Sequence, residues 1–286
     1  MKKGSKKKEV ADFFSSATAY WDSIYTQNSG DVDIFDHITV TGRQHYLLRF
    51  LLDHKVKGIA LDIGCGAGVL MKQLEKQQVQ TVGLDISPAM ARKTKEVMSD
   101  VPGFLGVVQG DIEHLPFKPR AFAAVTSIGV LQYLKDDKEA IAEMCRVTAT
   151  EGVVVCSTPN LLRLNNFFDP YYYTRRGMDY CRYVVNKKIL KKQDLFSASE
   201  YHDNRNFGNR RYLRGQLDKH FLEHRFKKTN MAGVGYGPFT LWKNKVLPDS
   251  INVMLNDRMH RFSQKAFGKW MGFLATRWVS CYKNEN

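Results

Sequence analysis

From Gly58 to Pro159, short apolar runs of strand length alternate with segments whose apolar residues recur every three or four positions. The runs are 58-GIALDIGC-65, 81-TVGLDIS-87, 104-FLGVVQGD-111, 121-AFAAVTSIG-129 and 151-EGVVVCSTP-159. Between them, 67-AGVLMKQLEKQQ-78 has helical spacing at Val69, Leu70 and Leu74, 88-PAMARKTKEVMSD-100 opens with Pro88 at a first helical turn, and 136-DDKEAIAEMCRVTA-149 reads as a further helix. Five strands joined by crossovers predict a mainly parallel, doubly wound α/β sheet, which binds ligands beyond the carboxyl ends of its strands.

The flanking pattern extends this core. Upstream, 13-FFSSATAYWDSIY-25 and 42-GRQHYLLRFL-51 read as helices. Downstream, 209-NRRYLRGQLDKHF-221 reads as a helix before a sixth strand at 224-HRFKKTNMAGV-234, and 276-TRWVSCYKN-284 as a seventh strand. The chain thus divides into a basic tail with N-terminal helices (1–57), a ligand-binding core (58–160), an insertion (161–215) and a segment that completes the sheet (216–286). Density of Tyr, Phe, Asn and Arg in the insertion suits a cap over a substrate cleft, where aromatic faces and guanidinium forks hold polar or anionic groups.

Charge changes the picture in one respect. Residues 1–160 hold 19 Lys and Arg against 19 Asp and Glu, whereas 161–286 hold 24 against 10, so the net charge of +14 belongs to the second half. Behind the basic start MKKGSKKKEV the acidic Glu9, Asp12 and Asp22 interrupt any apolar stretch, so no export signal is expected. No uncharged run is longer than Ala121 to Leu134, which is far short of the ~20 apolar residues of a membrane span. Cysteines 65, 145, 156, 181 and 281 are odd in number and never form a C-x-x-C pair, so neither a disulfide framework nor a metal site is signalled and a reducing, cytoplasmic setting is expected.

The candidate chemistry centres on 61-LDIGCGAG-68. A dinucleotide fingerprint G-x-G-x-x-G counted from Gly64 and Gly66 ends on Val69, and no G-K-[ST] follows, which disfavours NAD and a nucleoside triphosphate. With 84-LDIS-87 and 110-GDIEHLPF-117 following in order, residues 58–160 resemble the class I S-adenosylmethionine-dependent methyltransferases. The resemblance implies a Rossmann-like, seven-stranded sheet and S-adenosylmethionine as cofactor. It implies that Gly64, Cys65, Gly66 and Gly68 form a turn facing the methionine part, that Asp62 orders this turn through backbone N–H groups, and that Asp85 accepts the ribose hydroxyls. Asp111 would accept the adenine amino group, Ile86 and Ile112 would wall the ring, and the stretch from Ser127 to Leu131 would line the cofactor from the fourth strand. Arg43, with Tyr20 and Tyr25, matches the arginine and aromatic that close over the cofactor carboxylate in small-molecule members.

For the reaction itself, the resemblance asks mainly for alignment of a nucleophile with the methyl carbon and removal of a proton. Members acting on hydroxyls or carbons often read V-L-x-H after the fourth strand; here 130-VLQYL-134 puts Tyr133 there, with loop residue His202 as another candidate base and no metal expected. The [ND]-P-P-[YF] motif of base amino-methylating members is replaced by 126-TSIGV-130, so a small or lipid-linked substrate is expected ahead of nucleic acid, with an RNA methyltransferase or a non-catalytic binder as alternatives. Finally, from Asp249 to Leu274 the residues Ile251, Met254, Leu255, Met259, Phe262, Ala266, Trp270 and Phe273 would share one face of a helix interspersed with Arg258, Arg261, Lys265 and Lys269. Such a face suits either peripheral contact with an anionic membrane or packing on the protein's own core.

Overall fold

A computed structural model of the chain describes residues 3–18, 20–21, 33–171, 174, 210–242 and 244–285. Two units are distinguished: residues 1–158, 215–232 and 278–286, and residues 159–214 and 233–277. The described residues of the expected cap up to Arg214 share a unit with the helical part of the C-terminal segment.

The first unit is built on strands β1 (Ile59–Ile63), β2 (Gln80–Asp85), β3 (Phe104–Gln109), β4 (Phe122–Ile128), β5 (Thr148–Pro159), β6 (Phe226–Val234) and β9 (Arg277–Asn284), the ends of β5, β6 and β9 passing into the second unit. They form one sheet in the order β3-β2-β1-β4-β5-β9-β6, as expected for a class I methyltransferase core. Pairing is parallel from β3 through β5. The chain winds outward from β1 in both directions, so the order reverses between β1 and β4.

Helices cover the sheet, which explains why its central strands are apolar without alternation. Leu61, Leu84, Val125 and Val154 are fully buried. In helix α5 (Lys138–Val147) the buried side chains Ala140, Ile141, Met144, Cys145 and Val147 recur at helical spacing. Helix α3 (Val69–Glu75) begins at Gly68, and α4 (Pro88–Met98) at Ser87, whose hydroxyl accepts the Met90 N–H at 3.2 Å ahead of Pro88.

Two helices precede the sheet, α1 (Lys3–Ser16) and α2 (Ile34–Asp53), the latter capped by the Asp33 carboxylate on Phe35 N–H. Helix α1 starts earlier than the pattern predicts and ends at Ser16; Thr18, Tyr20 and Trp21 are helical again, with Trp21 N–H donating to Ala17 O at 3.1 Å, and residues 22–25 of the expected stretch lie outside the described residues. The end of α1 coincides with Ser15, Ser16 and Thr18, whose hydroxyls donate back to carbonyls of the preceding turn and compete with the helical ladder. The helix expected over 209–221 is confined to α7 (Asp218–Glu223). Ahead of it, Tyr212 N–H donates to Pro159 O and Tyr212 O accepts from Leu161 N–H, so that stretch is held extended.

The second unit contains the short helix α6 (Asn165–Phe168), a two-residue hairpin pair β7 (Thr240–Leu241) and β8 (Asn244–Lys245), helix α8 (Asp249–Ser263) and a 3-10 segment (Ala266–Leu274). The continuous helix expected from Asp249 to Leu274 is corrected here: Lys265 is extended, at φ −78° and ψ 154°, and splits it in two. In the segment that follows, Gly272 lies close to β6: a Cβ on Gly233 would meet Gly272 O at 2.9 Å.

Candidate functional site

At the carboxyl edge of the sheet, Ile63 is in register with Leu84 on one side and Ser127 on the other, while Asp85 is level with Gln109. The loops leaving β1, β2, β3 and β4 therefore emerge side by side, carrying Gly64 to Gly68, Ile86, Asp111 with Ile112, and Gly129 to Tyr133.

The glycine turn is fixed by its neighbour strand. Gly64 and Cys65 N–H both donate to Leu84 O, at 2.7 and 3.2 Å, and Gly66 N–H donates to Asp85 Oδ2 at 3.0 Å. Gly64 (φ 72°) lies against the β4 loop so tightly that a Cβ there would stand 2.3 Å from a Val130 methyl. Gly66 (φ 57°) is different: a Cβ would meet nothing within 4 Å. Space thus lies open over the middle of the turn, beside a carboxylate. The Cys65 side chain points away, buried with Met71 and Met98, and burial pushes its thiol well above the ordinary range.

Asp85 is 7% exposed, and its Oδ1 accepts Ser87 N–H at 2.9 Å. Burial raises its pKa, and the backbone N–H groups of Ser87, Gly66 and Ile86 oppose that shift. Two carboxylate oxygens offer about four acceptor positions, so capacity remains for ligand hydroxyls. The ordering role expected of Asp62 belongs to Asp85 and Leu84 O instead. Asp62 lies within β1, fully buried, and its Oδ1 accepts from the Thr126 hydroxyl at 2.8 Å. Burial, with a smaller contribution from the Asp85 charge, raises Asp62 to about 7 against the Thr126 bond. A strand residue's side chain stands roughly perpendicular to the sheet, and here the Asp62 carboxylate meets the neighbouring strand β4.

Ser127 is fully buried and its Oγ has no hydrogen-bond partner among the described residues. Arg43, on α2, is 7% exposed and donates from Nε to Thr39 O at 3.0 Å; a guanidinium nitrogen lies so near Gly129 that a Cβ there would be 2.8 Å away. Tyr20 is 39% exposed, with its hydroxyl donating to Asp36. Tyr133 closes the 3-10 turn Leu131–Tyr133, and its half-buried ring meets Phe14 edge-on at 5.3 Å. Tyr25 and His202 lie outside the described residues.

Beyond β3, Asp111 Oδ1 accepts Glu113 N–H at 3.0 Å, a turn-capping bond, and Ile112 is buried. The sequence reading missed what Asp111 also meets. Lys7, on α1, pairs with both Asp111 and Glu113. The same helix places Ser15 Oγ 2.9 Å from Ser87 Oγ and Phe14 on Tyr133, so α1 spans the loops after β2, β3 and β4. A signal existed: Val10, Phe13 and Phe14 stand three and four apart, in phase with Lys7, inside what reads as a basic tail.

Residues 61–156 match a family model described as a methyltransferase domain. This stretch is a methyltransferase domain. Among curated relatives, it is 34% identical over 148 residues to the bovine (Bos taurus) 18S rRNA (guanine-N(7))-methyltransferase, covering 49% of each chain, so it spans about half of that relative's length. It is 26% identical over 194 residues to a ubiquinone biosynthesis O-methyltransferase of Alkalilimnicola ehrlichii, covering 67% of this chain and 73% of that one. The magnesium protoporphyrin IX methyltransferase of Synechocystis, solved with bound SAH, superposes with a TM-score of 0.59 at 15% identity, covering 97% of this chain and 99% of that one. At that identity the likeness concerns the fold alone.

Proposed function

We propose that this chain is an S-adenosylmethionine-dependent methyltransferase acting on a small or lipid-linked molecule at a nucleophilic oxygen. The observation that carries the cofactor assignment is the open space over Gly66 beside the buried Asp85 carboxylate, at the point where the strand order reverses. The residues fit the cofactor. Asp85 would hold the ribose hydroxyls, Ile86 and Ile112 would flank the adenine with Asp111 at its edge, the turn from Gly64 to Gly68 would face the methionine part, and the buried Ser127 hydroxyl would gain a partner. Arg43, cationic beside Gly129, would meet the carboxylate.

When bound, the sulfonium supplies an electrophilic methyl group. The protein's part is positioning and exclusion of water. Pinning Gly66 N–H to Asp85 fixes the floor of the site, and α1, tied down by Lys7 and Phe14, covers the loops that would hold the adenosine. Tyr133, at the end of the β4 loop, would orient the accepting group.

A small-molecule substrate is supported by the longer match to the ubiquinone O-methyltransferase and by 126-TSIGV-130 in place of an amino-methylating motif. The rRNA methyltransferase match, together with the basic second half, supports RNA as the second reading. Labelled methyl transfer into separated lipid, glycan, small-molecule and RNA pools distinguishes them. The cofactor assignment is tested by calorimetry: Asp85→Ala should weaken S-adenosylmethionine by about 2 kcal/mol through lost charge-assisted bonds, and unchanged affinity removes the ribose role.

A further inference from the structure

Helix α8 turns part of its apolar stripe outward, with Leu255 and Met259 half-buried. Its buried residues are Asn252 and Asn256. Ile251, Met254 and Phe262 are 40%, 42% and 42% exposed. At about 100° per residue these three share an arc with Arg258 and Arg261, which are also exposed, and the arc points roughly 150° away from the two asparagines.

The orientation is locked from within. Asn252 Oδ1 accepts Phe239 N–H at 3.2 Å and its Nδ2 donates to Leu247 O at 2.7 Å, while Asn256 Oδ1 accepts Tyr236 N–H at 2.9 Å. Rolling the helix to bury its apolar stripe would break all three bonds and leave backbone groups unsatisfied. The outward stripe is therefore a built feature. In the 3-10 segment beyond Lys265, Trp270 is 58% and Phe273 43% exposed, and the Arg214 guanidinium sits 4.0 Å from the Phe273 ring centroid.

We propose that this face docks on an anionic lipid surface. Charge decides the occupant. From Asp249 to Leu274 the chain carries Arg258, Arg261, Lys265 and Lys269 against Asp249 and Asp257, and Arg258 and Arg261 stand within the apolar arc rather than at its far side. Long cationic side chains in that position reach lipid headgroups while their neighbours enter the acyl boundary. A second copy seated on the same face would bring these arginines against their own counterparts, which is repulsive. Of the nearby acids, Asp249 pairs with Lys245 at 2.9 Å, and Asp257 lies roughly 90° from the centre of the arc. Among the described residues no helix is long and apolar enough to cross a membrane, so the contact is peripheral.

The proposal goes beyond the methyltransferase reading and is tested without turnover, by flotation of the full chain with vesicles of phosphatidylcholine alone or with one-quarter phosphatidylglycerol. Wild type should float with the anionic vesicles at low salt, release as salt rises, and stay off the neutral ones. Ile251→Ser with Met254→Ser and Phe262→Ser should weaken this by about ten-fold or more, and Arg258→Gln with Arg261→Gln by about five-fold per residue, with circular dichroism and S-adenosylmethionine affinity unchanged in both. The proposal is overturned if wild type does not float, if the triple variant binds as tightly as wild type, or if the face instead supports self-association or RNA binding without vesicle binding.

Discussion

In the first unit, burial follows hydrophobicity: Leu61, Leu84, Val125, Met144 and Val154 are fully enclosed, and long parallel strands satisfy their own backbone. In the second, the innermost side chains include Asn160, Asp169, Asn252 and Asn256, while Ile251, Met254 and Phe262 face outward. The difference traces to the backbone. A sheet internalises its N–H and C=O groups in ladders, leaving the interior free for apolar side chains. An irregular chain needs other partners. Asn160 donates to Phe273 O and Ala275 O, and Asp169 accepts from Tyr171 N–H, Trp242 N–H and the Thr240 hydroxyl. Side chains thus do in the second unit what strand pairing does in the first, and the space they occupy is closed to leucine.

The comparison is broken most directly by matched truncations. Leu61→Ala should cost about 2–5 kcal/mol by opening a cavity between covered faces, whereas Ile251→Ala should cost less than about 0.5 kcal/mol. Urea unfolding measures both, and equal costs would mean that α8 is packed on its apolar side after all.

Asn252→Ala should come next, at about 2–3 kcal/mol, because it orphans the Phe239 N–H and the Leu247 carbonyl in one step. Hydrogen exchange should locate the loss in residues 233–277 and leave the strands around Leu61 protected. Loss of protection in β1 would contradict the division of labour.

A dependence on pH sharpens the picture of the first unit. Asp62 is raised to about 7 by burial, so between about pH 4 and 7 the folded chain holds a proton that the unfolded chain releases. Its contribution to stability is therefore greatest on the acid side, declines as pH rises through that window by up to about 1 kcal/mol per unit, and is flat above it. Unfolding of wild type and Asp62→Asn from pH 5 to 8 isolates this slope as their difference; parallel curves would show that Asp62 is ionised throughout.

Much of the site was legible because it is built from short-range signals. The alternation of apolar runs and helical segments specified the sheet, and Gly64, Gly66, Asp85 and Asp111 sit at strand ends because a strand followed by a turn must place them there. The role of Asp62 was not legible. Adjacent in sequence to the turn, it is separated from it by the direction in which a strand side chain points, and only the pairing of β1 with β4 supplies Thr126.

Other features depended on residues far apart in the chain. Lys7 reaches Asp111 and Glu113 across more than a hundred residues, and no local pattern encodes which carboxylate a lysine will meet. The apolar stripe from Asp249 to Leu274 was plain in the sequence, but its periodicity is the same whether the stripe faces inward or outward. The sequence by itself determined that α8 has two unlike faces. Tertiary structure decided which is buried, because the backbone of residues 236–247 needs the amides of Asn252 and Asn256 more than the core needs Ile251 or Phe262.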